Sequence, residues 1–99
     1  MVNKNYGWGH SSLGWSAFKG YFNVTKFLLD AGANPNIIDR NGYTPIFHAI
    51  DSGREDIVDL LLSYKANLWY KNKEGLTPID YAVRNSQWKI YDKLINALI

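Results

Sequence analysis

Cysteine is absent from the chain, so disulfides, thiolate metal sites and cysteine nucleophiles are excluded at the outset. Long apolar runs are absent too. No stretch approaches the roughly 18 consecutive apolar residues of a membrane-spanning helix. The start, Met1-Val2-Asn3-Lys4-Asn5, leads into glycine and aromatic residues rather than the apolar segment of a secretory leader. The expectation is a cytoplasmic chain that stays where it is made, with no membrane as partner. Charge of one sign is lacking as well: 11 Lys and Arg against 9 Asp and Glu leave a formal +2 with no basic stripe, so nucleic acid is not an expected partner. At 99 residues the chain buries only roughly 60 to 65% of its unfolded surface, enough for one modest core. A single domain over residues 1–99 follows.

Catalytic groupings are equally scarce. The histidines are two, His10 and His48, and neither has companion ligands or a partner base nearby in sequence, so each reads as hydrogen-bonded or exposed rather than as a ligand or general base. Ser11, Ser12 and Ser16 lack a nucleophile elbow and a positioned base. Gly7-Trp8-Gly9 lacks the third glycine and the preceding strand of a dinucleotide loop. No metal, no cofactor and no enzymatic activity is expected.

What the chain does have is a repeat. Gly42-Tyr43-Thr44-Pro45-Ile46 returns as Gly75-Leu76-Thr77-Pro78-Ile79 at a spacing of 33 residues. The same register pairs Ala49 with Ala82, Ile57 with Ile90 and Leu61 with Leu94, and sets Leu28-Leu29 one period before Leu61-Leu62. Three units cover the chain. Within a unit, Gly42 and Gly75 sit at turn tips where a missing Cβ permits positive φ; the Thr that follows two residues later can cap a helix that Pro starts at its first position. Gly53 ends that short helix, and Glu55 and Asp56 fall in the first turn of a second one, where they complement its dipole. In the second helix Ile57, Val58, Leu61 and Leu62 form an apolar face, while Asp56, Asp59 and Ser63 look outward. Ala49 and Ala82 mark close approach of helices.

This pattern resembles the ankyrin repeat. The middle unit carries Asp39-Arg40-Asn41-Gly42-Tyr43-Thr44-Pro45-Ile46-Phe47-His48-Ala49-Ile50, then Asp51-Ser52-Gly53, then Ile57-Val58-Asp59-Leu60-Leu61-Leu62. The first keeps Gly9, Leu13, Ala17, Gly20, Val24 and the loop Gly32-Ala33-Asn34-Pro35-Asn36, with Ser11-Ser12 in place of Thr-Pro. The third keeps Thr77-Pro78-Ile79, Ala82 and Leu94-Ile95. The resemblance implies an all-α solenoid of stacked helix-turn-helix units with β-turn tips, its repeats at about 6–38, 39–71 and 72–99, the outer two serving as caps. It also places the family's usual histidine at Phe47 and Asp80, and Asp80 is expected to bond turn backbone.

The ends of a stack have one neighbour each and must keep their other face wet. In the last helix Trp88, Tyr91, Leu94, Ile95 and Leu98 are expected to face the stack, with Lys89, Asp92, Lys93 and Asn96 in water. The first unit holds seven of the 15 aromatic residues. Trp15, Phe22 and Phe27 are expected in the core, and Tyr6, Trp8 and Phe18 form either a lid or an exposed patch for a partner.

Function then rests on surface. The resemblance implies a non-enzymatic module that binds another protein or peptide segment through the concave face of the stack. The residues flanking the turn glycines and ending the first helices choose the partner: Trp8, His10, Phe18 and Lys19; Arg40, Asn41, Tyr43, Asp51 and Ser52; Lys73, Glu74, Leu76, Arg84 and Asn85. A dedicated inhibitor, such as a bacterial immunity protein that blocks a toxin, is the alternative class, and the free chain is expected to be a monomer. The loop around Trp69, Tyr70, Lys71 and Lys73 departs from the pattern and offers either local packing or a second ridge. Lys65 replaces the loop glycine seen at Gly32, at a cost of around 1 kcal/mol if positive φ is retained.

Overall fold

A computed structural model of the chain describes residues 5–6 and 10–99, with Asn5 and Tyr6 described by their backbone. Among these residues, six helices follow a short antiparallel ribbon of β1 (Asn5–Tyr6) and β2 (His10–Ser11). The helices are α1 (Ser12–Lys19), α2 (Phe22–Asp30), α3 (Pro45–Ser52), α4 (Glu55–Ser63), α5 (Pro78–Arg84) and α6 (Trp88–Ala97). They form three antiparallel pairs. Helix α3 packs between α1 and α5, and α4 between α2 and α6, so the pairs stack into two layers. The ribbon is the one element that the sequence pattern did not announce.

The helix starts show how one register is written in different residues. Ser11, Thr44 and Thr77, spaced by 33, are the three N-caps of α1, α3 and α5. Ser11 accepts from the Gly14 N–H, and Thr77 shares a reciprocal capping box with Asp80. Asp80 thus bonds backbone, as expected. Thr44 does not cap: the Phe47 N–H goes to the Thr44 carbonyl instead, and the Thr44 hydroxyl is buried with no partner among the described residues. Phe47 cannot reach back as Asp80 does, because its side chain has no acceptor for the Thr44 N–H.

The core is continuous across the pairs, from Leu13 and Ala17 through Ile46, Ala49 and Ile50 to Ala82, and in the outer layer through Leu29, Ile57, Leu61, Ile90 and Leu94. The pairings of Ile57 with Ile90 and Leu61 with Leu94 hold as buried equivalents, and Asp56, Asp59 and Ser63 are exposed. The ends differ from expectation. Phe27 is 70% exposed because it stands about 200° round α2 from both Thr25 and Leu29, the buried side of that helix. Trp15 and Phe22 are half-buried, and Phe18 is exposed. On α6 the buried residues are Ile90 and Leu94, while Trp88 and Leu98 are exposed and Lys93 reaches Asp59 on α4 at 2.9 Å.

Side chains from one unit also grip backbone of the unit before it. Arg54 donates to the Gly20 carbonyl at 2.9 Å, Ser52 to the Ala17 carbonyl at 3.1 Å, and Gln87 to the Ile50 carbonyl at 3.3 Å. The loops join as well, through Asn36 to the Lys65 carbonyl and the Asn67 N–H to Asn36. Tyr64 donates to Asp30.

Two stability predictions follow from the packing and the backbone. Leu61 is fully buried, so Leu61→Ala leaves a cavity and lowers unfolding free energy by about 2 to 5 kcal/mol in a denaturant titration. Lys65 adopts φ 66° where Gly32 has 96°. Replacing Lys65 with Gly removes a Cβ from the left-handed region and raises stability by about 0.5 to 1 kcal/mol, less the added chain entropy of glycine. A lower denaturation midpoint would show that the Lys65 side chain contributes more than its backbone costs.

Candidate partner-binding surface

The surface is built from the turn tips and the inner helices. Each of the last two turns is closed by a backbone bond, from the Asp39 N–H to the Tyr43 carbonyl or the Asn72 N–H to the Leu76 carbonyl, together with a bond from the turn glycine N–H to the Asp39 or Asn72 carbonyl. Gly42 and Gly75 sit at φ 83° and 78°, as the turns require. The side chains of Asp39 and Asn72 repeat one another: one oxygen of Asp39 accepts from the Asn41 and Tyr43 N–H groups at 2.9 and 3.0 Å, and Asn72 does so from Glu74 and Leu76 at 2.9 and 3.1 Å. With the turn backbone satisfied in this way, the tip side chains are free to point away from the stack.

Trp8 lies outside the described residues. Of the remaining residues named from sequence, Phe18, Lys19, Arg40, Asn41, Asp51, Lys73, Glu74, Arg84 and Asn85 are exposed, and His10, Tyr43, Ser52 and Leu76 are half-buried. Several are linked across units. The Lys73 ammonium donates to the Arg40 carbonyl at 3.0 Å, and Arg84 pairs with Glu74 at 3.2 Å. Exposed pairs of this kind contribute little to stability, about 0 to 1 kcal/mol.

Other residues are committed to the fold. Tyr43 packs against the core and lies 6.0 Å, ring to ring, from Tyr81. Leu76 packs against the same core. Ser52 and Asn85 spend their side chains on backbone carbonyls, Asn85 on that of Tyr81 at 2.9 Å. Asp51 accepts from the Tyr81 hydroxyl at 2.7 Å; burial first, then that hydrogen bond, raises the Tyr81 pKa well above its ordinary value. Lys19 lies 5.3 Å over the Trp15 ring. The loop divides between the two readings given to it: Tyr70 is structural, donating to the Gly42 carbonyl at 2.8 Å and meeting Phe47 edge-on, while Trp69 is 71% exposed.

The fold also gathers residues that sequence reasoning kept apart. His48 is buried, and its Nε2 lies 2.8 Å from Asp39 Oδ2. Burial pushes the imidazole below its ordinary pKa, against the raising pull of Asp39. The ring of His10 stacks 4.5 Å from that of His48. The expectation that neither histidine has companion ligands is therefore corrected: His10, Asp39 and His48 each offer a donor atom within 4.8 Å of the others. The signal missed was that a turn tip of one unit reaches the inner helix of the next, which brings residues 38 apart in sequence into contact.

Paired helices, repeated turns and an exposed row of mixed charges define a helical repeat solenoid of the kind that binds through its surface. A family model for ankyrin repeats (3 copies) matches residues 13–98, and the chain belongs to that family. Ankyrin repeats are protein–protein interaction modules and generally non-catalytic. The chain is similar to a putative ankyrin repeat protein of Borreliella burgdorferi, 38% identical over 65% of this chain and 29% of that protein. It is similar to the 26S proteasome non-ATPase regulatory subunit 10 of Dictyostelium discoideum, 38% identical over 56% of this chain and 24% of the subunit. It also matches the glycerophosphocholine phosphodiesterase GDE1 of Candida albicans, 35% identical over 61% of this chain but 6% of the enzyme. The match thus covers less than a third of each of these relatives. Among the described residues no helix is long and apolar enough to cross a membrane.

The inner joint yields a test of its own. A Cβ on Gly14 of α1 would stand 2.9 Å from the His48 ring. Ala is ordinarily favoured over Gly inside a helix by about 1 kcal/mol. Here Gly14→Ala is expected to lower the melting temperature, because the ring would have to leave Asp39; a rise would show that the ring moves aside without loss.

Proposed function

We propose that the chain is a non-enzymatic protein-binding module that engages a partner protein or peptide through the concave side formed by the turn tips and the inner helices. The observation that carries this reading is the exposed row from Arg40 through Lys73 and Glu74 to Arg84, which spans two units and includes the exposed contacts of Lys73 with the Arg40 carbonyl and of Arg84 with Glu74. Arginine is among the residue types that most often anchor interfaces, and truncation at such a position costs about 2 kcal/mol or more. The row carries both signs of charge, which suits a partner of mixed charge and gives specificity through complementary pairs. We further propose that the module works in the cytoplasm and is monomeric until it meets its partner.

The test uses the immobilised chain to capture partners from a native lysate, followed by the same capture with Arg40→Ala plus Arg84→Ala. Retention of the captured protein should fall by several kcal/mol in affinity, while the melting curve shifts by less than about 1 kcal/mol, because both side chains are exposed. Tyr43 is left intact, since it supports the core. Loss of capture with Trp69→Ala plus Lys71→Ala, and not with the arginine pair, would place the site on the loop instead. A one-to-one complex that abolishes the partner's activity would identify an inhibitor.

A further inference from the structure

The joint between the first two units differs in chemistry from the joint between the second and third, although the backbone register is the same. Stepping by 33 residues, His10 becomes Tyr43, Asp39 becomes Asn72 and His48 becomes Tyr81. The later joint shows what the fold requires at these places. Two aromatic rings face each other across units at 6.0 Å, and one side-chain oxygen holds two turn N–H groups. Tyrosine, tyrosine and asparagine meet that requirement. In the earlier joint the same three positions hold two imidazoles and a carboxylate, the donor set that suits zinc and its neighbours among the transition metals.

Geometry adds to this substitution. One Asp39 oxygen is committed to the turn, and the other is directed at His48. The His10 Nδ1 is buried and has no hydrogen-bond partner among the described residues, an orphan of the kind that calls for a missing ion or water. In the empty site the His48 Nε2–H donates to Asp39 Oδ2, and a metal bound at Nε2 would displace that proton. Around a tetrahedral zinc with bonds of about 2.0 Å, ligand atoms lie about 3.3 Å apart. The His48–Asp39 separation of 2.8 Å opens slightly to reach this value, and the wider separations, none above 4.8 Å, close. His10 can supply that movement, since it lies in a two-residue strand rather than in a helix.

We propose that His10, Asp39 and His48 form a binding site for a divalent transition metal of the zinc class, with water completing the coordination. The three ligands come from β2, the turn and α3, so the metal joins the first unit's tip to the second unit's inner helix. Calcium and magnesium do not fit, because two of the three donors are nitrogen.

The experiment uses the full chain without an affinity tag, stripped with a chelator and titrated with zinc in competition with a chromophoric chelator. Cobalt(II) serves as the spectroscopic probe. The folded chain is expected to take up one equivalent of zinc, to melt at a higher temperature when loaded, and to show the visible bands of low-symmetry cobalt. His10→Ala and Asp39→Asn should each weaken binding by about 100-fold or more, since even outer-shell partners of a metal cost about 10- to 100-fold. Both should remain folded by circular dichroism, His10 because it lies outside the helices and Asp39 because Asn72 already serves its turn role. Should Asp39→Asn unfold, His10→Ala decides alone. Failure of the folded parent to bind stoichiometric zinc would overturn the proposal, and so would binding that is equally strong in His10→Ala.

Discussion

Helix α3 has no wet side for most of its length: every residue from Thr44 to Ile50 is buried. That is the constraint on which the rest depends. An amphipathic surface helix tolerates water on one face, whereas α3 needs α1 on one flank, α5 on the other and α4 at its back. A single helix pair could not satisfy it, so the three pairs fold as a cooperative set. The short α3 gains little from intrinsic helix propensity at eight residues, and its stability comes from burial.

From this constraint follows the division of labour in the surface. Residues that leave α3 toward the turn must satisfy their own backbone without borrowing from the core, and Asp39 and Asn72 do so with one oxygen each. The turn backbone is thereby satisfied while Arg40, Asn41, Lys73 and Glu74 stay exposed. Side chains held on a preordered backbone lose less freedom when they are bound, the general advantage of preorganisation. Tyr43 shows the limit of that separation, because this tip residue leans on the core at Phe47 and Tyr81.

The repeat, the helix pairs and the buried Ile57, Leu61, Ile90 and Leu94 were legible in the sequence because they depend on contacts that recur at one spacing. Glycine at the turn tips and at the end of α3 was legible for the same reason, each having the positive φ that its position demands. What escaped was particular to one unit or one joint. Thr44 carries the residue type of a cap, yet its hydroxyl is idle because the Phe47 N–H bonds the Thr44 carbonyl instead. Phe27 and Trp88 are aromatic, and hydrophobicity alone does not tell which side of a terminal helix lacks a neighbour. The approach of His10 to His48 depends on how far a turn tip overhangs the next helix, a property of the stack that no single unit's pattern contains.

Three of the side chains that cross between units, Ser52, Arg54 and Gln87, end on main-chain carbonyls. A carbonyl is carried by every amino acid, so these acceptors are not lost when a side chain changes, although Gly20 must stay small because a Cβ there would stand 2.5 Å from the Arg54 guanidinium. Other bonds between units, Tyr81 to Asp51, Tyr64 to Asp30 and Lys93 to Asp59, join side chain to side chain and need both partners. The joint therefore mixes contacts that leave the neighbouring unit free to vary with contacts that tie two positions together, so a change in one unit is tolerated at some points and must be matched at others.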